Sequence, residues 1–318
     1  MKTIQWGFLI VNYLFLGGLS AGLYFVSALA TFLYRIEEPS PYTRIARMGA
    51  FLAPWPVMVG CGLLIFDLGR WYHFYKLFLH LRLASPMSIG TWLLVFFNLI
   101  ALINCYAWLT AAQRDRLFQL VPKFLGFLKK LNYDIDHWRR YLAFLGLPLS
   151  VGVGIYTGVL LGAVQSRPFW NTNLVAQLFL FSALSTGCAA LILGLARSEQ
   201  SAQELKLLYG LDVCFMVLEF FIVLPYIIHG ELSMQAVQDS LRLILGGPFT
   251  LWFWLFFLGL GLLIPLLVEL RELVPVIVSD REFRCHRSVS AVTALLILGG
   301  GFLLRYIFVF AGQMSVMQ

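Results

Sequence analysis

The sequence predicts an all-α integral membrane protein: eight transmembrane helices arranged as two parallel-repeat four-helix bundles, with both termini periplasmic. Two observations predict the membrane class. Of the 318 residues, 60% are hydrophobic and only 12% are charged, whereas a soluble domain carries about 25% charged residues. Eight apolar segments also reach the length of about 20 residues that a bilayer requires. Because so little charge is available to cover a surface in water, soluble, coiled-coil and disordered classes are excluded.

The eight apolar segments, called spans 1 to 8 from here on, are separated by more polar connections. Span 1 has two features of a signal peptide, since Lys2 precedes an apolar stretch and residues 19–21 offer small side chains for cleavage. That stretch continues to Tyr34, well beyond the roughly 7–15 apolar residues of a signal peptide, and we therefore interpret it as a helix. The predicted spans cover residues 8–34, 47–67, 89–111, 141–163, 172–196, 206–228, 249–269 and 288–310.

The distribution of Lys and Arg predicts the orientation. The odd-numbered connections, which follow spans 1, 3, 5 and 7, hold 16 of the 23 basic residues. Basic residues favour cytoplasmic loops. Odd connections are therefore predicted in the cytoplasm and both termini outside. The longest cytoplasmic connection, residues 112–140, has the apolar spacing of a short helix lying on the membrane. Pro122 interrupts that pattern, and a plain basic loop is the alternative.

Two pairs of segments resemble each other along the sequence. Residues 14–22 of span 1 resemble residues 178–187 of span 5, and the segment from Ser85 into span 3 resembles the one from Gly247 into span 7. Matches between spans 1 and 5 and between 3 and 7 predict two parallel repeats. We expect residues 1–163, with the 112–140 loop, to form a first four-helix bundle, and residues 164–318 to form a second.

The cysteines and histidines do not follow a metal or haem pattern. The five cysteines contain no C-x-x-C pair, so iron–sulfur clusters, structural zinc and attached c-type haem are not expected in this protein. The five histidines lie outside the apolar spans or at a span's outer end, and none is placed to hold a b-type haem with a second histidine across the bilayer interior. Electrons that pass through this protein would therefore be carried by a bound small molecule.

Spans 1, 2 and 4 each place a polar side chain near the outer surface, namely Asn12, Asp67 and Tyr156. A quinone head group needs a hydrogen-bond donor, a proton acceptor near water and apolar walls. Arg70 and His73 follow Asp67 closely and add to this polar group. The alternatives are a solvated Asp67–Arg70 pair, an interfacial tyrosine and an asparagine that bonds a neighbouring helix.

Ionisable residues also occur within the second half of the predicted bundle. Asp212 and Glu219 are seven residues apart and share one face of span 6. Arg305 is predicted about 8 Å inside the outer end of span 8. Such residues are costly in a membrane, which favours either an ion pair or a proton path. Glu269 is predicted to end span 7 at the cytoplasmic surface.

The motifs along the sequence, taken in order, resemble the NrfD/PsrC family. This family comprises quinone-reactive membrane subunits of nitrite, polysulfide and related reductases. The resemblance covers essentially the whole sequence, and no single motif carries it alone. The motifs are YLFLGGLSAG from Tyr13, DLGR from Asp67, SPMSIGTW from Ser85, YTG from Tyr156, LFLFS from Leu178, and LR and AGQ from Leu304 and Ala311.

The resemblance implies a haem-free anchor in the bacterial inner membrane, with a quinone site in the first bundle near the periplasmic face. Tyr156 corresponds to the family's quinone-contacting tyrosine, and Asp67 to an acid of span 2. Some relatives carry a histidine in span 1, where this sequence offers Ser20 or Asn12 instead. The implied partners are a periplasmic four-cluster-type iron–sulfur subunit and a catalytic subunit, either a molybdopterin enzyme or a multihaem cytochrome c.

The leading hypothesis is therefore a subunit that oxidises menaquinol or a similar quinol and passes electrons to an iron–sulfur partner, with release of protons. Asp67, Tyr156 and His73 are the candidate catalytic residues. The rivals are a proton-coupled secondary transporter, against which the sequence shows no interrupted helices with unwound segments, and a purely structural anchor. The candidate quinone-binding residues are Asn12, Tyr13, Ser20, Arg70, Ser88 and Trp92, and the candidate proton path is Asp212, Glu219 and Arg305.

Overall fold

All eight predicted spans are helices long and apolar enough to cross a membrane. The structure is a computed structural model that describes residues 6–33, 42–67, 82, 85–120, 135–196, 202–278, 283 and 286–315, and every regular element in these ranges is helical. The ends of spans 1 to 5 lie within four residues of their predicted positions. The observed spans are Phe8–Leu33, Thr43–Asp67, Pro86–Ala107, His137–Gly162, Leu174–Leu195, Ala202–Glu231, Trp252–Val278 and Arg287–Met314.

Span 2 is interrupted, which the sequence analysis did not predict. It consists of two helices, Thr43–Leu52 and Pro54–Asp67, joined at Ala53. Pro54 and Pro56 lack the N–H groups that would continue the hydrogen-bond ladder. Ala53 itself keeps helical dihedral angles, with φ −56° and ψ −44°. The interruption is thus a change in hydrogen bonding and not an unwound segment.

Span 7 begins as a π-helix over Trp252–Leu263 and continues as an α-helix over Ile264–Val278. The Ile264 N–H donates to the Gly259 carbonyl, five residues back. Pro265 follows immediately and has no N–H to donate. In an α-helix its ring would clash with the carbonyl group four residues earlier, and the wider π-helical turn avoids this clash. The predicted end at residue 269 is wrong. Span 7 runs nine residues further, and Glu269 is fully buried instead of interfacial.

The spans have matching neighbours in the two halves of the molecule. Span 1 packs against spans 2 and 4, and span 3 packs against span 4; in the second half, span 5 packs against spans 6 and 8, and span 7 packs against span 8. Contacts between the halves are made mainly by span 1 with span 5, span 4 with span 5 and span 1 with span 8. Spans 1 and 5 therefore lie at the centre of the molecule.

Spans 1 and 5 cross at two glycines. A β-carbon on Gly22 would lie 2.0 Å from the Ala183 carbonyl oxygen, and one on Gly187 would lie 2.2 Å from the Gly22 carbonyl carbon. Both obstacles are backbone atoms, which cannot turn away as the end of a flexible side group would. Within a membrane, helices associate through such close packing because lipid supplies no hydrophobic force between them. The two segments that resemble each other in sequence thus include the contact between the halves.

The N-terminal end of span 1 and the C-terminal end of span 8 are joined by hydrogen bonds. The Gln313 side chain accepts from the Trp6 N–H at 2.8 Å and donates to the Trp6 carbonyl at 2.8 Å. The Trp6 indole stacks on Trp170 at 5.1 Å, and Trp170 donates to the Phe308 carbonyl. Gly312 makes room for the Trp170 indole, since a β-carbon on Gly312 would lie 1.8 Å from Trp170 Nε1. The AGQ motif near the C-terminus therefore has a structural role.

The described residues contain two shorter helices outside the eight spans. Ala111–Leu120 occupies the start of the 112–140 connection, while residues 121–134 of that connection lie outside the described ranges. Gln235–Leu245 lies between spans 6 and 7 and was not predicted. Span 8 extends to Met314, so Arg305 lies nine residues inside its end, a depth of about 13 Å that exceeds the predicted one.

The glycine crossing predicts a position-specific effect on stability. We expect Gly22→Ala to lower the free energy of unfolding by about 1–3 kcal/mol, the usual cost of overpacking a tight contact. Thermal unfolding of the detergent-solubilised protein, followed by tryptophan fluorescence, measures the change. Gly62→Ala is the matched control because nothing lies within 4 Å of a β-carbon there. Equal melting temperatures for Gly22→Ala and the wild type would contradict the proposed importance of the crossing.

Candidate functional site

The first group of interest is a pair of buried tyrosines between spans 1 and 4. Tyr13 is fully buried and Tyr156 is 7% exposed. Their side chains interact with each other, and the thiol of Cys61 on span 2 lies beside both. The Tyr13 hydroxyl is buried without a hydrogen-bond partner of good geometry among the described residues. A buried, unpartnered hydroxyl is costly, so this position suits a ligand that can accept or donate a hydrogen bond.

Two glycines make room for the tyrosine rings. A β-carbon on Gly90 of span 3 would lie 1.8 Å from Tyr156 Cζ, and one on Gly60 of span 2 would lie 3.4 Å from Tyr13 Cδ2. The Tyr156 ring therefore lies directly against the backbone of span 3, and span 2 lies close against the Tyr13 ring. Residues from all four spans of the first half thus surround the tyrosine pair.

The predicted acid, Asp67, lies at the end of span 2 and is half-buried. It is six residues, or about 9 Å, beyond Cys61 along the helix. Its Oδ1 lies beside the start of span 1, 3.8 Å from the position of a β-carbon on Gly7. Asp67 is therefore on the same side as the N-terminal end of span 1, above the tyrosine pair. Arg70 and His73, which the sequence analysis grouped with it, lie outside the described residues.

Four other predicted binding residues have different surroundings. Asn12 Nδ2 donates to the Phe8 carbonyl of its own helix at 2.8 Å, which leaves its carbonyl oxygen available to a ligand. Ser20 donates to the Ala53 carbonyl at the interruption of span 2. Ser88 accepts from the Arg82 N–H at 3.0 Å. Trp92 Nε1 is buried and has no hydrogen-bond partner among the described residues.

The second group surrounds Arg305, which is fully buried on span 8. Its Nη1 donates to Ser182 Oγ at 2.9 Å and to the Gly301 carbonyl at 2.6 Å, and its Nη2 approaches the Phe179 carbonyl at 3.4 Å. The guanidinium also lies over the Phe179 ring at 5.3 Å, an arrangement that is favourable for a cation. Uncharged groups thus replace much of the hydration that burial removes.

Two buried acids, Glu219 and Asp212, lie on span 6 at different depths. Glu219 lies near the Ser182 hydroxyl and is attracted to the Arg305 guanidinium. Asp212 Oδ1 accepts from Ser185 Oγ at 2.6 Å, while its Oδ2 is buried without a partner among the described residues. Seven residues separate the two carboxyl groups, about 10 Å along the helix. Spans 5, 6 and 8 together therefore hold a series of buried ionisable groups.

Two further buried groups, Cys188 on span 5 and Glu269 on span 7, belong to this series. The Cys188 thiol, one turn below Ser185, interacts with the carboxyl groups of both Asp212 and Glu269. Glu269 is fully buried. Besides the Cys188 thiol, four buried ionisable groups from three neighbouring spans thus form this series, namely Arg305, Glu219, Asp212 and Glu269. An arrangement of this kind can pass a proton in steps when water or hydroxyl groups bridge the gaps.

Span 1 contacts both groups through two adjacent residues. A β-carbon on Gly17 would lie 3.7 Å from Thr157 Cγ2, next to Tyr156 in sequence, and one on Gly18 would lie 2.9 Å from Arg305 Nη2. The guanidinium also lies over the Phe15 ring at 5.9 Å. The tyrosine pair and the ionisable series are therefore neighbours across a single helix.

Sequence reasoning missed several members of these groups. The sequence analysis considered Cys61 and Cys188 only for metal binding, and it predicted Glu269 at the cytoplasmic surface. Ser182 and Ser185 were noted only within a motif, although their spacing of three residues places them on one face of span 5. Gly90 was quoted in a motif without its role beside Tyr156, which depends on the packing of spans 3 and 4.

The fold and these two groups define a multi-pass helical membrane protein with polar and ionisable side chains buried between its spans. Among the described residues, no group of three or more His, Cys, Asp or Glu side chains could hold a metal ion. A family model described as polysulphide reductase, NrfD, matches residues 1–317. The chain belongs to this family.

Similar proteins from three organisms show how widely the sequence is shared. Protein NrfD of Escherichia coli (strain K12) is 31% identical over 99% of this chain and 97% of its own length. The C subunit of the polysulfide reductase of Wolinella succinogenes is 32% identical over 99% and 96%. The Hdr-like menaquinol oxidoreductase integral membrane subunit of Archaeoglobus fulgidus is 24% identical over 85% and 63%.

The hydrogen bond from Ser185 to Asp212 predicts an effect on stability. We expect Ser185→Ala to lower the free energy of unfolding by about 1–3 kcal/mol, because a buried carboxyl group loses its donor. Denaturant titration in mixed micelles measures the change. Ser150→Ala is the control, since the buried Ser150 hydroxyl bonds only the Leu147 carbonyl of its own helix. The prediction fails if both variants unfold at the same denaturant concentration.

Proposed function

We propose that the protein is the quinol-oxidising membrane subunit of a respiratory reductase complex. The observation that carries this proposal is the buried Tyr13–Tyr156 pair below the half-buried Asp67, in which the Tyr13 hydroxyl has no hydrogen-bond partner of good geometry among the described residues. Membership of a family with polysulfide reductase and menaquinol oxidoreductase subunits among its relatives supports the same function. Menaquinol or a similar quinol would be the exchangeable substrate.

The proposed topology places this site near the periplasmic face of the bacterial inner membrane. The excess of basic residues in odd connections supports an orientation with both termini outside. The matching packing of spans 1, 2, 3 and 4 with 5, 6, 7 and 8 supports two repeated four-helix bundles, residues 1–163 and 164–318. Asp67 then lies at the periplasmic end of span 2, where a released proton reaches water.

The residues of the first bundle would act in three ways. Tyr156, Tyr13 and Asn12 would hold the oxygen atoms of the head group by hydrogen bonds, and Trp92 Nε1 is a further unpartnered donor, two residues after Gly90 in sequence. Asp67, together with His73, would accept the two protons that quinol oxidation releases. The two electrons would pass to an iron–sulfur subunit bound on the periplasmic side, and from there to a molybdopterin or multihaem cytochrome c subunit.

The ionisable series in the second bundle supports an additional role in moving protons. Asp212, Glu219 and Arg305 are buried, and Glu269 adds a further buried acid on span 7 that interacts with Cys188, as Asp212 does. In this proposal the second bundle forms a proton path linked to quinol oxidation. A transporter would also use buried acids, but the polar groups of the first bundle lie toward one face, as a quinol site requires. A pure anchor leaves the buried Tyr13–Tyr156 pair without a role.

The quinol site is tested by three conservative substitutions. We expect Tyr13→Phe, Tyr156→Phe and Asp67→Asn to lose bound quinone, and quinol-linked electron transfer to fall about 100-fold, within the range attributed to a positioned proton-transfer group. Quinone content of the purified protein and inhibitor titration by fluorescence quenching measure binding. Quinol oxidation by the assembled complex measures electron transfer.

Matched controls separate this site from general damage. Tyr226→Phe removes a hydroxyl that bonds the Phe169 carbonyl in the second bundle, and Asp239→Asn alters an exposed aspartate. Both should keep quinone and activity. Unchanged quinol-linked activity in Tyr156→Phe and Asp67→Asn, with intact assembly, would favour the pure anchor.

The proton path is tested by measuring membrane potential in liposomes. We expect Asp212→Asn and Glu219→Gln to reduce the potential generated per quinol oxidised at least twofold, because each removes an ionisable carboxyl group from the series. Glu231→Gln, at the exposed end of span 6, should have no effect. An undiminished potential in both core variants would exclude this path.

A further inference from the structure

A groove lies on the opposite side of the molecule from Asp67, between the beginning of span 6 and the end of span 7. It has a volume of about 480 Å³ and is open to the surroundings. Its size falls within the range of about 300–1,000 Å³ that small-molecule sites occupy. The lining residues are Tyr42, Gln203, Lys206, Leu207, Gly210, Leu211, Leu273 and Ile277.

The lining divides into a polar end and an apolar trough. Gln203 and Lys206 occupy the first turns of span 6, and Tyr42 immediately precedes span 2. Deeper in the membrane, Leu207, Gly210 and Leu211 continue the same face of span 6, at helical spacing. Leu273 and Ile277 form the opposite wall, one turn apart on span 7. This order, polar at the interface and apolar below, matches the order of groups in a phospholipid.

The charge of the groove selects among lipids. Its lining has one cation, the exposed Lys206, and no carboxylate among the described residues. Two acids adjoin lining residues in sequence, the buried Glu204 and the partly buried Glu272, and neither lines the groove. Under the proposed topology, the groove faces the cytoplasmic leaflet, where basic side chains attract anionic headgroups. A zwitterionic lipid would fill the trough but gain less from Lys206.

We propose that this groove is a binding site for one anionic phospholipid of the cytoplasmic leaflet, with the phosphate at Lys206 and an acyl chain along the trough. Gly210 forms the floor, and nothing lies within 4 Å of a β-carbon there. The backbone of span 6 is therefore open to direct contact with an acyl group. The bound lipid would fill the space between spans 6 and 7, two helices that carry members of the ionisable series.

The first test fills the groove. The delipidated full-length protein is titrated with phosphatidylglycerol, and bound lipids are counted by native mass spectrometry. We expect the wild type to retain one tightly bound lipid and Gly210→Leu to lose it, with at least a tenfold weaker affinity. Gly299→Leu is the matched control, because Gly299 is also a helical glycine with open space around its β-carbon position. Both substitutions add a better helix former, so both variants are expected to fold.

The second test removes the charge. We expect Lys206→Gln to weaken phosphatidylglycerol binding about fivefold, the factor expected for one basic residue near an anionic membrane surface, while phosphatidylcholine binding stays unchanged. Arg287→Gln, an exposed cation at the start of span 8, should leave both affinities unchanged. Equal binding of the two lipids by the wild type would overturn the proposal, as would full lipid retention by Gly210→Leu. Quinone bound there in place of lipid would also overturn it.

This inference rests on the proposed topology only for the identity of the leaflet. The lipid count needs no turnover, no partner subunit and no intact quinol site. Asp67→Asn should therefore lose quinone and keep the lipid, whereas Gly210→Leu should lose the lipid and keep quinone. Failure of either proposal is thus visible without affecting the other.

Discussion

The backbone contact between spans 1 and 5 at Gly22 and Gly187 is the constraint on which the rest of the molecule depends. It fixes how closely the two halves approach, because any side chain at either glycine would meet backbone atoms within about 2–3 Å. One turn before Gly22 on span 1, the close approach of the helices places Gly18 against the Arg305 guanidinium and Gly17 against Thr157. A wider crossing would separate span 1 from Arg305 and open the core of the second half to lipid.

Arg305 shows how a charge is tolerated in this position. A guanidinium in the hydrocarbon region is costly unless it is hydrogen-bonded and paired. Ser182, the Gly301 carbonyl and the ring of Phe179 supply uncharged partners, and the Glu219 carboxyl group lies near enough to interact with the guanidinium electrostatically. Removing one member of such a pair leaves an uncompensated buried charge. Arrangements of spans 5, 6 and 8 that would separate these groups are therefore disfavoured, whether or not the ionisable series carries protons.

Hydropathy alone located the eight spans, because bilayer thickness sets helix length. It failed where local charge imitated a span end. Glu269, Arg271 and Glu272 follow one another closely, and only the packing of span 7 shows that Glu269 is buried while the helix continues. Tyr13 and Tyr156 could be proposed from their types and depths. Their approach to each other and to Cys61 depends on Gly60 and Gly90, whose roles come from contacts between helices that the sequence does not display.

The position of span 1 between the two groups has an electrostatic consequence. Tyr13 and Gly18 are five residues apart, about 7.5 Å along the helix, and Gly18 touches Arg305. Two unit charges about 10 Å apart, in an effective dielectric constant of about 20, interact by about 1.7 kcal/mol. An energy of this size changes a protonation equilibrium more than tenfold. In the proposed function, a charge that appears at the tyrosine pair would act through space on Arg305 and Glu219, and this interaction would couple the quinol site to the proton path without a moving helix.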